Sequence, residues 1–288
     1  MGSSSYKSRR SDKHIEAQKT VYHVMWYGSP IFPNPDEQSR QPISETHIKY
    51  IHKIARNNSK SDIRFCFDSK RYTKAQLEWL ENEMSDLPNI ILFDLRDIPE
   101  YENEPLYDQP DKSSDLRSNK NSMLWRQVDT ARFLASLHSF KEYYSSNSEV
   151  QIFYADLDVS NLLLDSEEVQ KIIGEYGILL GAVLDTKTGR AWYANGAFGF
   201  DKRMFPFFEL LYKKTLEHTK TKGKNGYIPY IEAIKKLQRD GLDPKNIVYP
   251  LKFFGPGKDV MFIDEIMKDM EKSNYPVSDC YVEYCCIA

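Results

Sequence analysis

The sequence predicts an α/β fold, a parallel sheet covered by helices. Two observations carry that expectation. From residue 20 to residue 93, strand-length runs rich in β-branched and aromatic side chains alternate with segments of helical spacing, the pattern of successive βαβ units. Several strand-like runs also stop at a glycine or a carboxylate (Gly28, Asp68, Asp156), which sets polar groups at the carboxyl ends of strands, where open parallel sheets bind nucleotides. With 288 residues, 41 % hydrophobic and 13 % aromatic, the chain has enough apolar surface for a core of that kind.

Taken in order, residues 20–28 read as a first buried strand ending at Gly28, followed by a loop with Pro30, Pro33, Pro35 and Pro42. Ile48, Ile51, Ile54 and Ala55 recur at helical spacing, so 46–57 reads as a helix. Residues 63–67 form a second strand, 73–84 a helix with Thr73 as N-cap, and 90–93 a third strand. The polar stretch 97–121 reads as a long loop or small insertion. A helix follows over 123–140, then a strand over 150–154 and a helix over 166–175. Strands over 179–184 and 191–200 turn at Thr188-Gly189. Helices over 205–219 and 229–239, a strand over 248–254 and a helix over 259–272 complete the chain. No internal repeat is present, and the expected organisation is a polar tail at 1–19, one domain at 20–275 and a C-terminal tail at 276–288.

Composition narrows the function. Lys and Arg number 39 against 42 Asp and Glu, a net charge of −3, which argues against a nucleic-acid partner. No apolar run approaches the roughly 18–20 residues that cross a bilayer. The polar N-terminal segment lacks the apolar centre of a signal peptide. Of the four cysteines, Cys280, Cys285 and Cys286 crowd at the C-terminus and Cys66 lies in an apolar run, so neither a disulfide framework nor a zinc site is indicated.

The chemistry centres on Tyr154-Ala155-Asp156-Leu157-Asp158, an apolar run that ends in two carboxylates one residue apart. On extended backbone, residues i and i+2 point the same way. Two carboxylates so placed repel unless a cation lies between them, and hard divalent ions take oxygen ligands while leaving positions for substrate phosphates. The triplet therefore reads as a Mn²⁺ or Mg²⁺ site for a diphosphate, although a solvated strand end has the same sequence. Upstream, Asp129 and Arg132 share a helix face at i, i+3 among the apolar residues Val128, Ala131, Phe133 and Leu134. A pair buried in such surroundings is costly unless fully hydrogen-bonded, so its presence points to a site that needs it.

Asp-x-x-Arg on a helix, followed by a strand ending in Asp-x-Asp, resembles the retaining GT-A glycosyltransferases, and most of all the large clostridial glucosylating toxins and related bacterial effector glycosyltransferases. Three further segments are similar: Tyr22-His23-Val24-Met25-Trp26-Tyr27-Gly28 to the first strand, Tyr193-Ala194-Asn195-Gly196-Ala197-Phe198-Gly199-Phe200 with Pro206 to the Asn-containing strand, and Phe254-Gly255-Pro256-Gly257 to a glycine loop near the donor diphosphate. The resemblance implies a GT-A fold, a Rossmann-like nucleotide-sugar-binding sheet with flanking helices. It also implies a UDP-sugar donor (glucose or N-acetylglucosamine), a Mn²⁺ or Mg²⁺ cofactor, retention of anomeric configuration and a protein acceptor. By the same resemblance Trp26 stacks on the base, Asp129 and Arg132 hold the transferred sugar, and Asp156 lies near the ribose and the metal. Asp158 ligates the metal, and Asn195 orients sugar or acceptor. Gly255 and Gly257 bring backbone N–H groups to the diphosphate, with Lys258 beside them adding charge.

The chain departs from the toxins in having no Trp after residue 192 to cover the donor, and no single acid among Asp259, Asp264 and Glu265 stands out as a third ligand. The His-Glu-Asn acceptor motif of the arginine-modifying effectors is not evident. The terminal Cys285-Cys286-Ile287-Ala288 fits the prenylation pattern with Cys285 as acceptor and Cys280 available for a second acyl chain. Met1-Gly2 resembles a myristoylation start, but Tyr6 stands where Ser or Thr is needed. Together these features imply a secreted effector or toxin acting in a host cell, membrane-associated through Cys285, or else a cytoplasmic enzyme. Two other classes remain: a metal-dependent nucleotide-sugar hydrolase, disfavoured by the scarcity of histidine (six in the chain), and a non-catalytic membrane-tethered interaction protein on a transferase fold, disfavoured by the joint presence of Asp129, Arg132, Asp156 and Asp158.

Overall fold

The computed structural model describes residues 19–26, 42–102, 123–144, 149–185, 190–220, 227–252 and 281–283. Its strands are β1 (Lys19–Met25), β2 (Asp62–Phe67), β3 (Ile90–Asp94), β4 (Val150–Ala155), β5 (Ile178–Asp185), β6 (Arg190–Phe200), β7 (Val248–Pro250) and β8 (Tyr281–Glu283). Its helices are α1 (Glu45–Asn57), α2 (Lys74–Met84), α3 (Pro99–Glu102), α4 (Met123–Tyr144), α5 (Glu167–Tyr176), α6 (Phe205–Lys220) and α7 (Tyr227–Arg239). The strand order is β3-β2-β1-β4-β6-β5-β7, with β8 paired to the outer part of β6. The β3-β2-β1-β4 half is parallel throughout. Beyond it the sheet is mixed, because β6 returns antiparallel to β4 and β5 before β7 pairs parallel to β5. The local reason is the short connection between β5 and β6, which permits only an antiparallel pair.

Helix starts are written in the sequence. Thr73 and Gln76 form a capping box: the Gln76 N–H donates to Thr73 Oγ1 and the Thr73 N–H to Gln76 Oε1. Ser44 and Ser166 cap α1 and α5. Helix α5 ends at Gly177, with φ of 73°. Arg203 donates to the last carbonyls of α5, those of Gly174 and Glu175, at 3.0 and 3.2 Å.

Alternate strand residues point to opposite faces and build two cores. Val21, Met25, Ile152, Tyr154 and Phe198 pack with α4, α6 and α7, while Tyr22, Val24, Phe65, Phe153 and Ala155 pack with α1, α2 and α5. Helix α4 is buried on nearly every side between residues 130 and 140, deeper than the half-buried helix expected. It lies on the sheet with α6 against it: Phe140 stacks on Phe205 at 4.6 Å, and the Thr130 and Thr219 hydroxyls meet at 3.2 Å. It also runs on to Tyr144, beyond the expected end at 140, and β7 stops at Pro250, short of the expected 254. The short strand β8 carried no recognisable signal. The helix expected over 259–272, the end of the first strand at Gly28 and the turn at Thr188-Gly189 lie outside the described residues. No helix among the described residues is long and apolar enough to cross a membrane.

His23 sits on the α4 side of β1, fully buried. One ring nitrogen meets the Phe153 carbonyl at 3.1 Å and the other meets Ser139 Oγ at 2.7 Å, the same hydroxyl that accepts from Arg64 at 2.8 Å. Burial, and then the Arg64 guanidinium, push its pKa down to about 3. The folded protein therefore holds His23 neutral, while the unfolded chain protonates it near pH 6.5. Its contribution to stability is complete above pH 6.5 and is lost as the pH falls from there toward 3. At pH 5 the loss amounts to about 2 kcal/mol. Asp129 and Asp156 shift the other way, so the check is a difference: urea denaturation at pH 7.5 and pH 5 shows a smaller acid loss in His23→Gln than in the parent. An equal acid loss in both refutes the assignment.

Candidate active site

Four side chains expected from the sequence to act together do meet, at the carboxyl edge of the parallel strands. Helix α4 presents Asp129 and Arg132 one turn apart, toward the sheet. Arg132 donates through Nη1 to the Asn195 carbonyl at 2.6 Å, and its Nη2 lies 3.2 Å from Asp129 Oδ1. Asn195 Nδ2 donates to that same Oδ1 at 3.0 Å. The three residues thus close a ring in which each touches the other two. Arg132 Nη1 is also 3.5 Å from Asp156 Oδ1, so one guanidinium joins the ring to the acidic triplet. Its side chain is only 5 % exposed, and its plane lies over the Tyr154 ring at 5.1 Å.

Asp156 follows directly on β4 and is held from several sides. Its N–H donates to the Gly196 carbonyl at 2.7 Å. The Tyr154 hydroxyl donates to Oδ1 at 2.7 Å. A Cβ placed on Gly196 would come within 2.6 Å of Oδ2, so the absence of a side chain at 196 is what gives the carboxylate its place. Leu157 and Val159 are buried, while Asp156, Asp158 and Ser160 are partly open. Both acids of the triplet are thus partly open, but they sit on a turn closed by the Val159 N–H to the Asp156 carbonyl at 3.0 Å, and not on the extended backbone that the i, i+2 argument assumed.

The way β6 delivers Asn195 and Gly196 was not foreseeable. Leu180 pairs with Phe198 and Ala182 with Tyr193, so the single residue Gly181 of β5 faces residues 194–197 of β6. This irregularity shifts the β5–β6 register beside the site, a place where bulges are common. It is possible because Gly181 is bare: a Cβ there would strike the Ala197 carbonyl at 2.8 Å. Tyr154 and Gly196 are the other site residues missed by sequence reasoning. Tyr154 carried one signal, its position two residues before Asp156 on the same strand face.

The electrostatics are lopsided. Asp129, Asp156 and Asp158 gather near Arg132. Removal from water raises the pKa of Asp129, with Arg132 and Asn195 pulling it back. Asp156 is likewise raised, first by removal from water. Arg132 and Tyr154 oppose that rise, whereas Asp158 and Asp129 add to it. For both acids the largest cause is removal from water, which disfavours the charged form whatever stands nearby. A divalent cation fits this chemistry. Asp156 Oδ1 is engaged by Tyr154 and Arg132, Oδ2 lies beside Gly196, and the Asp158 carboxylate is near enough to act on Asp156 electrostatically. Among the described residues no group of three or more His, Cys, Asp or Glu side chains forms a cage for a metal ion. Asp156 and Asp158 are the carboxylates that such an ion could use, with substrate phosphate oxygens and water as the further ligands such ions accept.

Trp26 stands at the end of β1, the strand beside β4, and so on the same carboxyl edge as Asp156. It is half-buried. Its indole N–H donates to the Pro42 carbonyl at 3.0 Å, its ring lies 4.7 Å from that of His47, and its carbonyl accepts from the Tyr72 hydroxyl at 3.1 Å. Gly255, Gly257 and Lys258 lie outside the described residues, as do Cys280 and Cys285.

Fold and site together define a class: this is the GT-A type of nucleotide-sugar transferase fold, a mixed α/β sheet flanked by helices. Among solved structures, one described simply as a transferase is 16 % identical, with 80 % of this chain and 90 % of that chain covered and a TM-score of 0.51. The PaToxG glycosyltransferase is 14 % identical over 90 % of this chain and 79 % of its own, with a TM-score of 0.44. The bacterial N-acetylglucosamine transferase NleB is 14 % identical over 82 % and 93 %, with a TM-score of 0.46. No protein-family model matches the sequence, and no curated protein matches it.

Proposed function

We propose that this protein is a retaining, metal-dependent glycosyltransferase that moves a hexose, glucose or N-acetylglucosamine, from a UDP-sugar to a side chain of a partner protein. The observation that carries the reading is the Asp129–Arg132–Asn195 ring, tied through Arg132 to Asp156 at the carboxyl edge of the sheet. In this reading the ring holds the sugar by its hydroxyls. Among the described residues both donors to Asp129 go to Oδ1, which leaves Oδ2 to accept from a sugar hydroxyl. Arg132, locked by three partners, holds that carboxylate in place and favours its charged form against the effect of burial. Fixing a sugar so that its anomeric carbon faces the acceptor lowers the barrier by several kcal/mol. Trp26 offers an aromatic face to the base, pre-set by Pro42 and His47. Asp156 and Asp158 would hold Mn²⁺ or Mg²⁺, and the bound ion supplies Lewis-acid neutralisation of the leaving diphosphate. No protein nucleophile is assigned. Gly255, Gly257 and Lys258 belong to the same reading as contacts of the diphosphate, and residues 20–275 as one catalytic domain.

The decisive experiment incubates purified full-length protein with UDP-glucose or UDP-N-acetylglucosamine and Mn²⁺ and records UDP release, with calorimetric titration of each donor alongside. Release with one donor, lost on adding EDTA, is the expected result and identifies the sugar. Absence of both release and binding for either donor overturns the reading in favour of an interaction protein on a transferase fold.

The protein acceptor and action as an effector inside a host cell follow from the sequence resemblance alone. Membrane attachment through Cys285 follows from the prenylation pattern of the last four residues. Labelled farnesyl incorporation that disappears in Cys285→Ser tests the last of these, and equal labelling of both proteins counts against it.

A further inference from the structure

The loop that follows the acidic triplet is fastened at a second point that the site described above does not include. Upstream of Asp158, the chain is held by the bond from Asp156 N–H to the Gly196 carbonyl on β6. Downstream, it is held on β7 and the residues just after it. The Ser160 N–H and hydroxyl both donate to the Lys252 carbonyl, at 2.7 and 3.0 Å. Asn161 then bridges two backbone groups of that segment: its Nδ2 donates to the Pro250 carbonyl at 2.8 Å, and its Oδ1 accepts from the Lys252 N–H at 2.8 Å. The Tyr249 hydroxyl returns a bond to the Asn161 carbonyl at 2.9 Å. The receiving segment is itself anchored, since the Leu251 N–H donates to the Ala182 carbonyl on β5 at 2.7 Å.

An asparagine that both donates to and accepts from a neighbouring backbone does the work of a strand residue with its side chain. Here it adds two side-chain bonds to the single backbone bond from Ser160 to Lys252 between the same two segments. Between the two fastenings lie Leu157, Asp158 and Val159. Leu157 and Val159 are buried and the Val159 N–H donates to the Asp156 carbonyl at 3.0 Å, which leaves Asp158 little freedom. A ligand carboxylate has to be held to within about 0.5 Å to be useful.

We infer that Asn161 is a positioning residue, which latches the loop onto β7 and so sets the Asp158 carboxylate relative to Asp156. The metal part of this inference rests on the proposed function. The latch itself rests on the hydrogen bonds alone.

The test uses the full-length protein and two readouts. Hydrogen exchange of the amides at 157–160 reports the latch, and the electron paramagnetic resonance signal of free Mn²⁺, titrated with protein in the presence of UDP, reports the site. Asn161→Ala is expected to speed exchange at 157–160 and to raise the Mn²⁺ dissociation constant by about 10–100-fold, the usual effect of losing a group that orients a ligand. Asn89→Ala is the control for general destabilisation. It removes the bonds from Asn89 Nδ2 to the Ala55, Asn58 and Ser61 carbonyls, and is expected to leave Mn²⁺ binding at the parent value. If Asn161→Ala does not fold, Asn161→Gln displaces the amide by one methylene and gives the same two readouts. Parent-like Mn²⁺ affinity in a variant whose loop exchange has risen overturns the positioning role, and unchanged exchange overturns the latch. If the unmutated protein binds no Mn²⁺, the proposed function fails, and exchange alone then decides the latch.

Discussion

Arg132→Ala lowers UDP release by at least about 100-fold and, unlike most surface changes, also destabilises the protein by roughly 3–5 kcal/mol. Both effects have one source. The guanidinium is almost wholly buried and serves Asp129, the Asn195 carbonyl and Asp156 at once. Its removal leaves buried carboxylates without their counter-charge and a buried carbonyl without its donor, and such unpaired groups bear the full cost of lost hydration. At roughly 2–4 °C per kcal/mol for a domain of this size, the melting temperature falls by about 10 °C. Arg132→Lys recovers part of the stability and little of the activity, because one ammonium cannot reproduce the planar fork that spans these partners. Thermal melting together with UDP release measures both. A variant with parent stability and lost activity would mean that Arg132 contributes to the reaction without organising the site.

The Asp156→Ala/Asp158→Ala double variant goes the opposite way in stability. Its UDP release drops below detection, while its melting temperature in the absence of metal stays at or above that of the parent. The sign follows from the raised pKa of Asp156. A group whose folded pKa lies above its unfolded value contributes stability below the unfolded pKa and loses that contribution as the pH rises through the folded one. Ionising this carboxylate therefore costs more in the fold than in the unfolded chain, a cost borne because binding needs the charge. Added Mn²⁺ with UDP raises the melting temperature of the parent, since a ligand of the native state stabilises it, and leaves the double variant unmoved. A double variant that melts well below the parent without metal would show that these acids are structural members of the fold. The pair of experiments separates the cation that builds the site from the anions that use it.

Much of this site was legible because its chemistry is local. The i, i+3 spacing of Asp129 and Arg132 determines that they share a helix face. The apolar run before Asp156 marks a strand that stops at carboxylates, whereas the turn that carries Asp156 and Asp158 had no local signal. The start of α2 was equally readable, because Thr73 marks it as a cap. What stayed hidden depends on residues far apart in the chain. Asn195 could be singled out by resemblance, yet nothing near it in sequence says that its carbonyl meets Arg132 and its amide meets Asp129. That arrangement follows from the bulge opposite Gly181, a property of the β5–β6 register.

The same division holds for the rest of the molecule. Composition and periodicity by themselves pointed to an α/β fold, a parallel sheet covered by helices with carboxylates at strand ends, because burial and hydrogen bonding act on neighbouring residues with fixed periods of 2 and 3.6. Only the tertiary structure decided that the sheet turns antiparallel at β6, that Gly196 yields its side-chain space to Asp156, that His23 is kept neutral beneath α4, and that Asn161 fastens the acidic loop to β7. Each of these is a contact between segments brought together by packing, and their geometry is set by the whole sheet.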